Sequence, residues 1–199
     1  MTSEMQPDGS LRVRYEFNDR GRGPKLDSRI EVCSDGHPAG IETTGTNYLK
    51  GEVHESFSVR DGAARWTNAA GQGEKKSAGK AFYLSMDGTP IETGLLAAAL
   101  LADPDRSVAL LPSGEASLST AGEASVPGPD GKDRKVVLHE ITGLGFEPVP
   151  VWLDPDGGFF ASADEWLTVI RKGWEGEVPA LLERQHAARD ARQAEDAAR

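Results

Sequence analysis

The chain has 199 residues and a mass of 21.3 kDa, a size that suits one ordinary domain and excludes two large ones. Hydrophobic residues make up 38% and charged residues 27%, which predicts a globular protein and excludes a membrane-embedded or collagen-like one. The 32 acidic and 22 basic side chains give a formal net charge of −10, which disfavours nucleic acids and anionic membrane surfaces as partners. Glycine and proline, with 23 and 12 residues, favour short strands joined by turns.

The cysteine content and the lengths of the apolar runs exclude further kinds of site and segment. Cys33 is the only cysteine, so the chain can form neither an internal disulfide nor a zinc site built from several thiolates. No apolar run approaches the roughly 20 residues that cross a bilayer, so no transmembrane segment is predicted. Residues 1–10 lack the basic and apolar regions of a secretory signal, but a chain that begins after a removed signal would look the same. The sequence by itself therefore leaves localisation open.

Period-2 alternation of apolar and polar side chains predicts most of the secondary structure. Residues 1–10 are expected to be flexible, and residues 11–17 form the first predicted strand. Two antiparallel hairpins follow, with turns at residues 34–38 and 61–62. Residues 69–80 are predicted to be a long, mobile hairpin loop. Further strands are predicted at residues 81–86, 115–120, 135–141, 148–153 and 158–161.

Two helices are predicted from capping boxes, in which an N-cap hydroxyl and a carboxylate three residues later satisfy backbone N–H donors. Thr89 and Glu92 form the first box, and the leucine- and alanine-rich residues 91–102 follow it. Ser162 and Glu165 form the second box. Apolar side chains four residues apart then line one helix face that should pack on the sheet: Trp166, Ile170 and Trp174.

These elements predict one β-rich domain over residues 11–182, followed by a helical or flexible connector over residues 183–199. The connector segment has four acidic and four basic residues among alanines and no large apolar side chain. The predicted fold class is mainly β: a curved antiparallel sheet or half-barrel with one packed central helix and a C-terminal helix. Its aromatic residues either fill the core or line an apolar groove for a lipid-like or peptide ligand: Phe82, Tyr83, Trp152, Phe159, Phe160, Trp166 and Trp174.

Two histidine–carboxylate neighbours are the main candidates for catalysis. His54–Glu55 and His139–Glu140 each place a base beside an acid. Neighbours on a strand point to opposite faces, so neither pair can cooperate directly. The interpretation we prefer is surface polar residues. A cross-strand meeting of His54 with Glu140, or of His139 with Glu55, would restore a catalytic interpretation.

Other candidate motifs are weaker. Ser113 lacks the G-x-S-x-G elbow of a hydrolase nucleophile and is interpreted as a turn residue. Gly143 and Gly145 imitate half of a dinucleotide-binding motif, but no helix is predicted after them, so a strand connection is preferred. Cys33 has no cationic neighbour in the sequence to activate it. The sequence therefore predicts no catalytic, cofactor-binding or metal-ligating residue, and no cofactor.

Residues 51–192 resemble the region that precedes the catalytic barrel in bacterial metal-dependent amidohydrolases of the imidazolonepropionase-like group. The resemblance rests on the phrases AFYLSMDGTPIETGLLAAALL, LLPSGEASL, LHEITGLGFEPVPVWLD and DGGFFASADEWLTVIRKGWEGEVPALLERQ. The metal ligands of that family, an H-x-H pair with later histidines and an aspartate, have no matching positions in the 199 residues. The resemblance therefore carries over no catalytic residue.

What the resemblance implies is a noncatalytic N-terminal accessory domain that packs on or orients a downstream amidohydrolase barrel, in the same or a neighbouring chain. It also implies a periplasmic or secreted location, with a cytoplasmic one as the alternative. Two other functions stay open. One is an independent envelope module that binds an apolar or lipid-like ligand in the half-barrel groove. The other is a small hydrolase that uses a cross-strand histidine and carboxylate.

Overall fold

Two β-sheets dominate the architecture. The computed structural model describes residues 1–76 and 80–198 of the chain. Within these residues, each sheet has seven strands, and two α-helices accompany the sheets. The predicted fold class, mainly β with a packed helix and a C-terminal helix, is confirmed. In the described part of the chain neither sheet closes into a barrel.

The first sheet is an antiparallel meander in which each strand pairs with the next one along the chain. The predicted first strand and both predicted hairpins are confirmed, with turns after Val32 and after Arg60. The strands are β1 (Thr2–Met5), β2 (Leu11–Glu16), β3 (Lys25–Val32), β4 (Pro38–Thr46), β5 (Glu52–Arg60), β6 (Ala63–Asn68) and β7 (Gly71–Lys76).

Both edge strands of this sheet lie where the sequence suggests irregular structure. β1 falls within residues 1–10, for which the sequence predicts flexibility, and pairs with β2. β7 falls within residues 69–80, so the loop prediction is wrong for residues 71–76, while residues 77–79 lie outside the described residues. β7 shows no alternation because most of its side chains are exposed on both faces. At Gly73 a Cβ atom would lie 2.3 Å from the Trp66 ring, so glycine permits this pairing.

The second sheet is antiparallel except for one parallel pair, β8 with β9. Each strand predicted between residues 81 and 161 overlaps a strand of this sheet. Its strands are β8 (Phe82–Tyr83), β9 (Ser107–Leu111), β10 (Glu115–Pro127), β11 (Asp133–Thr142), β12 (Val149–Leu153), β13 (Phe159–Ala163) and β14 (Thr168–Ile170).

Helix α1 (Pro90–Ala102) lies between the two sheets. Its predicted capping box is confirmed, because the backbone N–H of Thr89 donates to Glu92 Oε1 at 2.8 Å. Leu96 and Leu100 are fully buried against the second sheet, and Leu95 also packs against the core of the first. The helix thus contacts the apolar cores on both sides of it.

Helix α2 (Val178–Ala197), which follows a short 3-10 helix (Glu175–Glu177), packs on the opposite face of the second sheet. Leu181 is fully buried and Ala188 also packs there, beside Trp152 and Phe160. Gln185 accepts a hydrogen bond from Trp152 Nε1 at 2.7 Å and donates one to the carbonyl of Ala163 at 2.9 Å. Most of residues 183–199, the predicted helical or flexible connector, therefore lies in a helix that is docked on the domain.

Replacing Gln185 by alanine should lower the free energy of unfolding by about 1 to 2 kcal/mol, because two buried polar groups lose their partner. Urea denaturation measures the change. Gln193→Ala is the matched control, since Gln193 is an exposed glutamine on the same helix and should change stability by less than about 0.5 kcal/mol. Equal losses in the two variants would contradict the docking contact.

The second predicted helix, beginning at Ser162, is wrong. The segment instead forms the hairpin of β13 and β14, in which Ser162 pairs with Val169. Asp164 Oδ1 accepts hydrogen bonds from the backbone N–H groups of Trp166 and Leu167, both at 2.7 Å. The aspartate therefore stabilises a tight turn in place of a helix start. Trp166 is 63% exposed, in contrast to the buried position that the helix would have given it.

Candidate functional site

A buried polar row crosses the inner face of the first sheet. Pairing of the strands aligns Ser28 with Thr43 and Thr43 with Glu55. The first two are completely buried, and their hydroxyl oxygens lie 2.9 Å apart in a hydrogen bond. The neighbouring rows on this face are apolar, with Ile30, Ile41 and Phe57 on one side and Leu26 and Val53 on the other. A carboxylate in such a place must be stabilised by hydrogen bonds.

Glu55, which is only 4% exposed, binds the connection between β8 and α1. Its Oε1 accepts hydrogen bonds from Tyr83 Oη at 2.6 Å and from the backbone N–H of Met86 at 2.9 Å. Its Oε2 accepts one from the backbone N–H of Asp87 at 3.1 Å. Asn68 Nδ2 in turn donates to Tyr83 Oη at 3.1 Å. Burial raises the pKa of Tyr83, and the hydrogen bond to Glu55 raises it further. The phenol therefore keeps its proton and donates it in the hydrogen bond to the carboxylate.

A second carboxylate, Glu92, lies beneath the same connection and is 3% exposed. Its Oε1 completes the capping box, and the buried hydroxyl of Ser85 lies close to the carboxylate. Burial raises the pKa of Glu92 and the charge of Glu55 adds to the effect, while the side chain of Ser85 lowers the pKa in part. A Cβ atom at Gly88 would lie 3.2 Å from both oxygens of Glu92, so the Gly88 backbone packs closely on this carboxylate.

Outside this connection lies an open cleft of about 440 Å³, here called the aromatic cleft. Its wall combines the ends of β2 and β3, the turn after β4, the β8–α1 connection and the β13–β14 turn. Three of its rings contact one another: Phe17 and Trp166 have centroids 5.5 Å apart, Tyr48 and Trp166 5.9 Å, and Phe17 and Tyr48 6.2 Å. The lining residues are Tyr15, Phe17, Pro24, Leu26, Asn47, Tyr48, Met86, Asp87, Gly88 and Trp166.

The charge at the aromatic cleft is negative. Among the described residues that line it, Asp87 is the one charged side chain. Burial raises the pKa of Asp87, and the neighbouring negative charge of Glu55 adds to it. Tyr48, another residue of the cleft wall, donates a hydrogen bond from its Oη to Asp19 Oδ2 at 2.8 Å. Arg22 also acts on this hydroxyl, but the hydrogen bond to Asp19 dominates and raises the pKa of Tyr48.

The two histidine–carboxylate meetings that would have supported catalysis do not form. His54 and Glu55 lie on β5 of the first sheet, whereas His139 and Glu140 lie on β11 of the second, so they are not cross-strand neighbours. The interpretation as surface residues holds for His54, which is exposed, but is wrong for the other three. Strand pairing and packing bury them: Glu55, His139 and Glu140. Glu140 is instead paired with Arg192 of α2.

The weaker candidates lie in connections between strands, as interpreted from the sequence for Ser113, Gly143 and Gly145. Ser113 is exposed between β9 and β10, and Cys33 is exposed at the end of β3. Gly143 and Gly145 connect β11 to β12, with no helix after them. Gly143 has a φ of 90°, and a Cβ there would lie 2.0 Å from the carbonyl oxygen of Glu115. This glycine is therefore explained by backbone geometry.

The predicted aromatic core is confirmed only in part. Trp152, Phe160, Phe82 and Tyr83 are at most 1% exposed, whereas Trp166 belongs to the aromatic cleft. The aromatic cleft itself was not predicted from the sequence.

Within residues 1–76 and 80–198 there is no group of three or more histidine, cysteine, aspartate or glutamate side chains that could hold a metal ion. Neither helix of this described part has the length and apolarity needed to cross a membrane.

Comparison of the chain with protein-family models, with curated proteins and with solved structures finds no match. The functional interpretation therefore depends on the geometry of the aromatic cleft and of the carboxylates behind it.

Proposed function

We propose that this chain is a noncatalytic binding domain that takes a small, partly apolar ligand in the aromatic cleft. The observation that carries the proposal is Trp166, which is 63% exposed although two hydrogen bonds to Asp164 fix its turn. An exposed ring on a fixed turn offers apolar area without the entropy cost of ordering a loop. Met86, which also lines the cleft, is 57% exposed and adds apolar surface to it.

The size and position of the cleft support the same role. A volume of about 440 Å³ is within the range of small-molecule sites, which often lie where structural layers meet. Leu167 and Val169 of the second sheet pack on Tyr15 and Leu26 of the first, directly beside the cleft. The proposed ligand thus lies at the junction of the sheets, and not inside the curved groove that the sequence suggested.

A binding role also fits the state of the carboxylates. Both oxygens of Glu55 are occupied by donors from the protein, and Glu92 is covered by Gly88 and uses one oxygen for the helix cap. These acids hold the wall in place in this proposal, and no proton transfer to a ligand is assigned to them.

Trp166→Ala should leave the free energy of unfolding within about 1 kcal/mol of the unmodified chain, because the ring is largely exposed. The same change should weaken binding of aromatic fragments at least about tenfold, since the ring supplies a wall of the site. Ligand-observed NMR with a panel of soluble aromatic fragments measures the binding, and urea denaturation measures the stability.

Phe146→Ala is the matched control, because Phe146 is fully exposed and does not line the cleft. It should change neither quantity. Fragments that bind equally to the Trp166 and Phe146 variants would overturn the proposed site, and a large loss of stability in Trp166→Ala would give the ring a structural role instead.

The accessory role beside an amidohydrolase barrel is a second proposal, supported by the sequence phrases given above. All four phrases fall on the second sheet and the two helices that pack on it. If this proposal holds, the barrel would contact the second sheet or α2. The test is whether the coding sequence continues into a histidine-rich barrel, and whether that longer chain protects α2 from hydrogen exchange.

A further inference from the structure

We infer that the ligand of the aromatic cleft is a small organic cation, an ammonium or guanidinium with an apolar part, and that Asp87 is its counter-ion. The inference rests on the proposed binding function and names the chemical class of the ligand. Three observations support it: the unpaired carboxylate of Asp87, the exposed ring of Trp166, and the contacts of the nearby basic groups with partners other than Asp87.

The carboxylate of Asp87 is available. Within the described residues it makes no ion pair and accepts no hydrogen bond from a side chain, whereas its backbone N–H is fixed by Glu55 at 3.1 Å. Its position is therefore set without its charge being neutralised. The carboxylate also lies in the field of Glu55 behind it, which disfavours its negative charge. A cation bound next to Asp87 would relieve that unfavourable field.

The rings supply the second attraction. Cations bind the faces of tryptophan, tyrosine and phenylalanine rings when they lie within about 6 Å of the ring centroid. Phe17 and Tyr48 both meet Trp166 in edge-on geometry, at interplanar angles of 79° and 73°. Trp166 keeps most of its surface open beside them, at 63% exposure. An apolar group can therefore pack on the indole while a cationic group reaches Asp87 across the cleft.

Among the described residues, the basic groups near Tyr48 and Gly23 do not form an ion pair with Asp87. Lys50 Nζ donates to the backbone carbonyl of Gly23 at 2.8 Å. Arg22 acts at the Tyr48 hydroxyl, where Asp19 supplies the opposite charge. Asp164 lies in the turn between β13 and β14, close to Tyr15. Burial raises the pKa of Tyr15, and the negative charge of Asp164 raises it further. Because Asp87 is the one charged side chain among the described residues that line the cleft, an anionic ligand would be disfavoured there.

Three probes with the same ring and different charge test the inference: benzyltrimethylammonium, benzyl alcohol and benzoate. The indole Nε1–H signal of Trp166, assigned with Trp166→Phe, reports binding in an NMR titration at pH 7 and low salt. We expect the cation to bind at least about tenfold more tightly than the alcohol, and benzoate to bind most weakly. Added salt should weaken binding of the cation more than that of the alcohol.

Asp87→Asn should weaken binding of the cation at least about fivefold and leave binding of the alcohol unchanged, because the substitution removes the charge and keeps the shape of the side chain. Glu165→Gln is the matched control, since Glu165 is an exposed carboxylate next to Trp166 that does not line the cleft. It should leave the cation preference in place. Backbone NMR spectra of both variants check that the fold is retained.

The outcomes separate the two proposals. Equal binding of all three probes, or a cation preference that survives Asp87→Asn, would overturn the counter-ion role and leave the binding site in place. No shift of the Trp166 signal with any probe would overturn the proposed binding function together with this inference.

Discussion

Glu55→Ala should lower the free energy of unfolding by about 3 to 5 kcal/mol, the largest effect that we expect from one substitution. The change deletes the acceptor of three donors at once: Tyr83 Oη and the backbone N–H groups of Met86 and Asp87. An unsatisfied buried donor costs about 1 to 3 kcal/mol, and the costs of neighbours do not add fully. The missing side chain also leaves a cavity at a position that is 4% exposed.

The controls for Glu55→Ala separate loss of hydrogen bonds from loss of charge. Tyr83→Phe removes one donor and should cost about 1 to 2 kcal/mol. Glu52→Ala removes an exposed carboxylate from the same strand and should cost less than about 0.5 kcal/mol. Urea denaturation of the three variants gives the comparison. If Glu55→Ala costs no more than Glu52→Ala, the carboxylate does not hold the β8–α1 connection.

The expected effect on the aromatic cleft follows from the same contacts. Met86 and Asp87 form one wall of the cleft, and Glu55 is what fixes their backbone. In Glu55→Ala the amide signals of both residues should therefore shift in NMR spectra even where the rest of the sheet is retained. In the proposed binding function, Glu55 is thus a positioning residue that fixes the backbone of Met86 and Asp87.

Alternation predicted the five inner strands of the first sheet, β2 to β6, because their inner face is mainly apolar and their outer face polar. Alternation did not predict the buried polar row or the carboxylate site that it forms. Ser28, Thr43 and Glu55 keep the period of two, so each strand is still recognised, but they look like surface residues in the sequence. Their alignment into one buried row depends on strand register, which single-strand patterns do not contain.

The hairpin of β13 and β14 shows a different failure. Spacing by four from Trp166 to Trp174 suits a helix face, yet Thr168, Val169 and Ile170 favour a strand, and Asp164 favours a turn. Pairing with β13 decides in favour of the strand. The aromatic cleft could not be predicted without this turn, because the rings that line the cleft come from three distant parts of the chain.

The C-terminal helix was underestimated because its docking is polar. Beyond Leu182 no large apolar residue signals burial, but Gln185 bonds to Trp152, and Arg192 pairs with Glu140 and lies 3.6 Å from Glu147. Long polar side chains can cover a sheet while their end groups find specific partners. Composition does not reveal such partners in advance.

Asp154 is the second residue at which we expect a large effect. It follows β12 and is 5% exposed. Arg134 binds both of its oxygens, with Nε at 2.7 Å and Nη2 at 2.9 Å, and Arg171 Nη2 binds Oδ2 at 2.7 Å. The guanidinium groups also lie over aromatic rings, Arg134 over Trp174 at 5.9 Å and Arg171 over Phe160 at 5.5 Å. One carboxylate thus ties together β11, β12 and the segment after β14.

Asp154→Asn should lower the free energy of unfolding at pH 7 by about 2 to 3 kcal/mol, since charged hydrogen bonds are lost while both arginines keep access to water. Burial by itself would raise the pKa of Asp154, but hydrogen bonds from Arg134 and Arg171 outweigh it and hold the pKa below its ordinary value. The folded state therefore prefers the ionised form, and the stabilisation is complete above the unfolded pKa of about 3.9.

As the pH falls through the lowered pKa of the folded state, that stabilisation is lost, so the difference between the unmodified chain and Asp154→Asn should shrink below about pH 4. Other acids with lowered pKa values, such as Asp8 and Asp27, are present in both proteins and cancel in the difference. Urea denaturation from pH 7 to pH 3 measures it. Asp156→Asn, at an exposed aspartate in the next turn, is the control and should show a small difference at every pH. A difference for Asp154→Asn that stays constant down to pH 3 would mean that packing of the side chain, and not its charge, stabilises this corner of the second sheet.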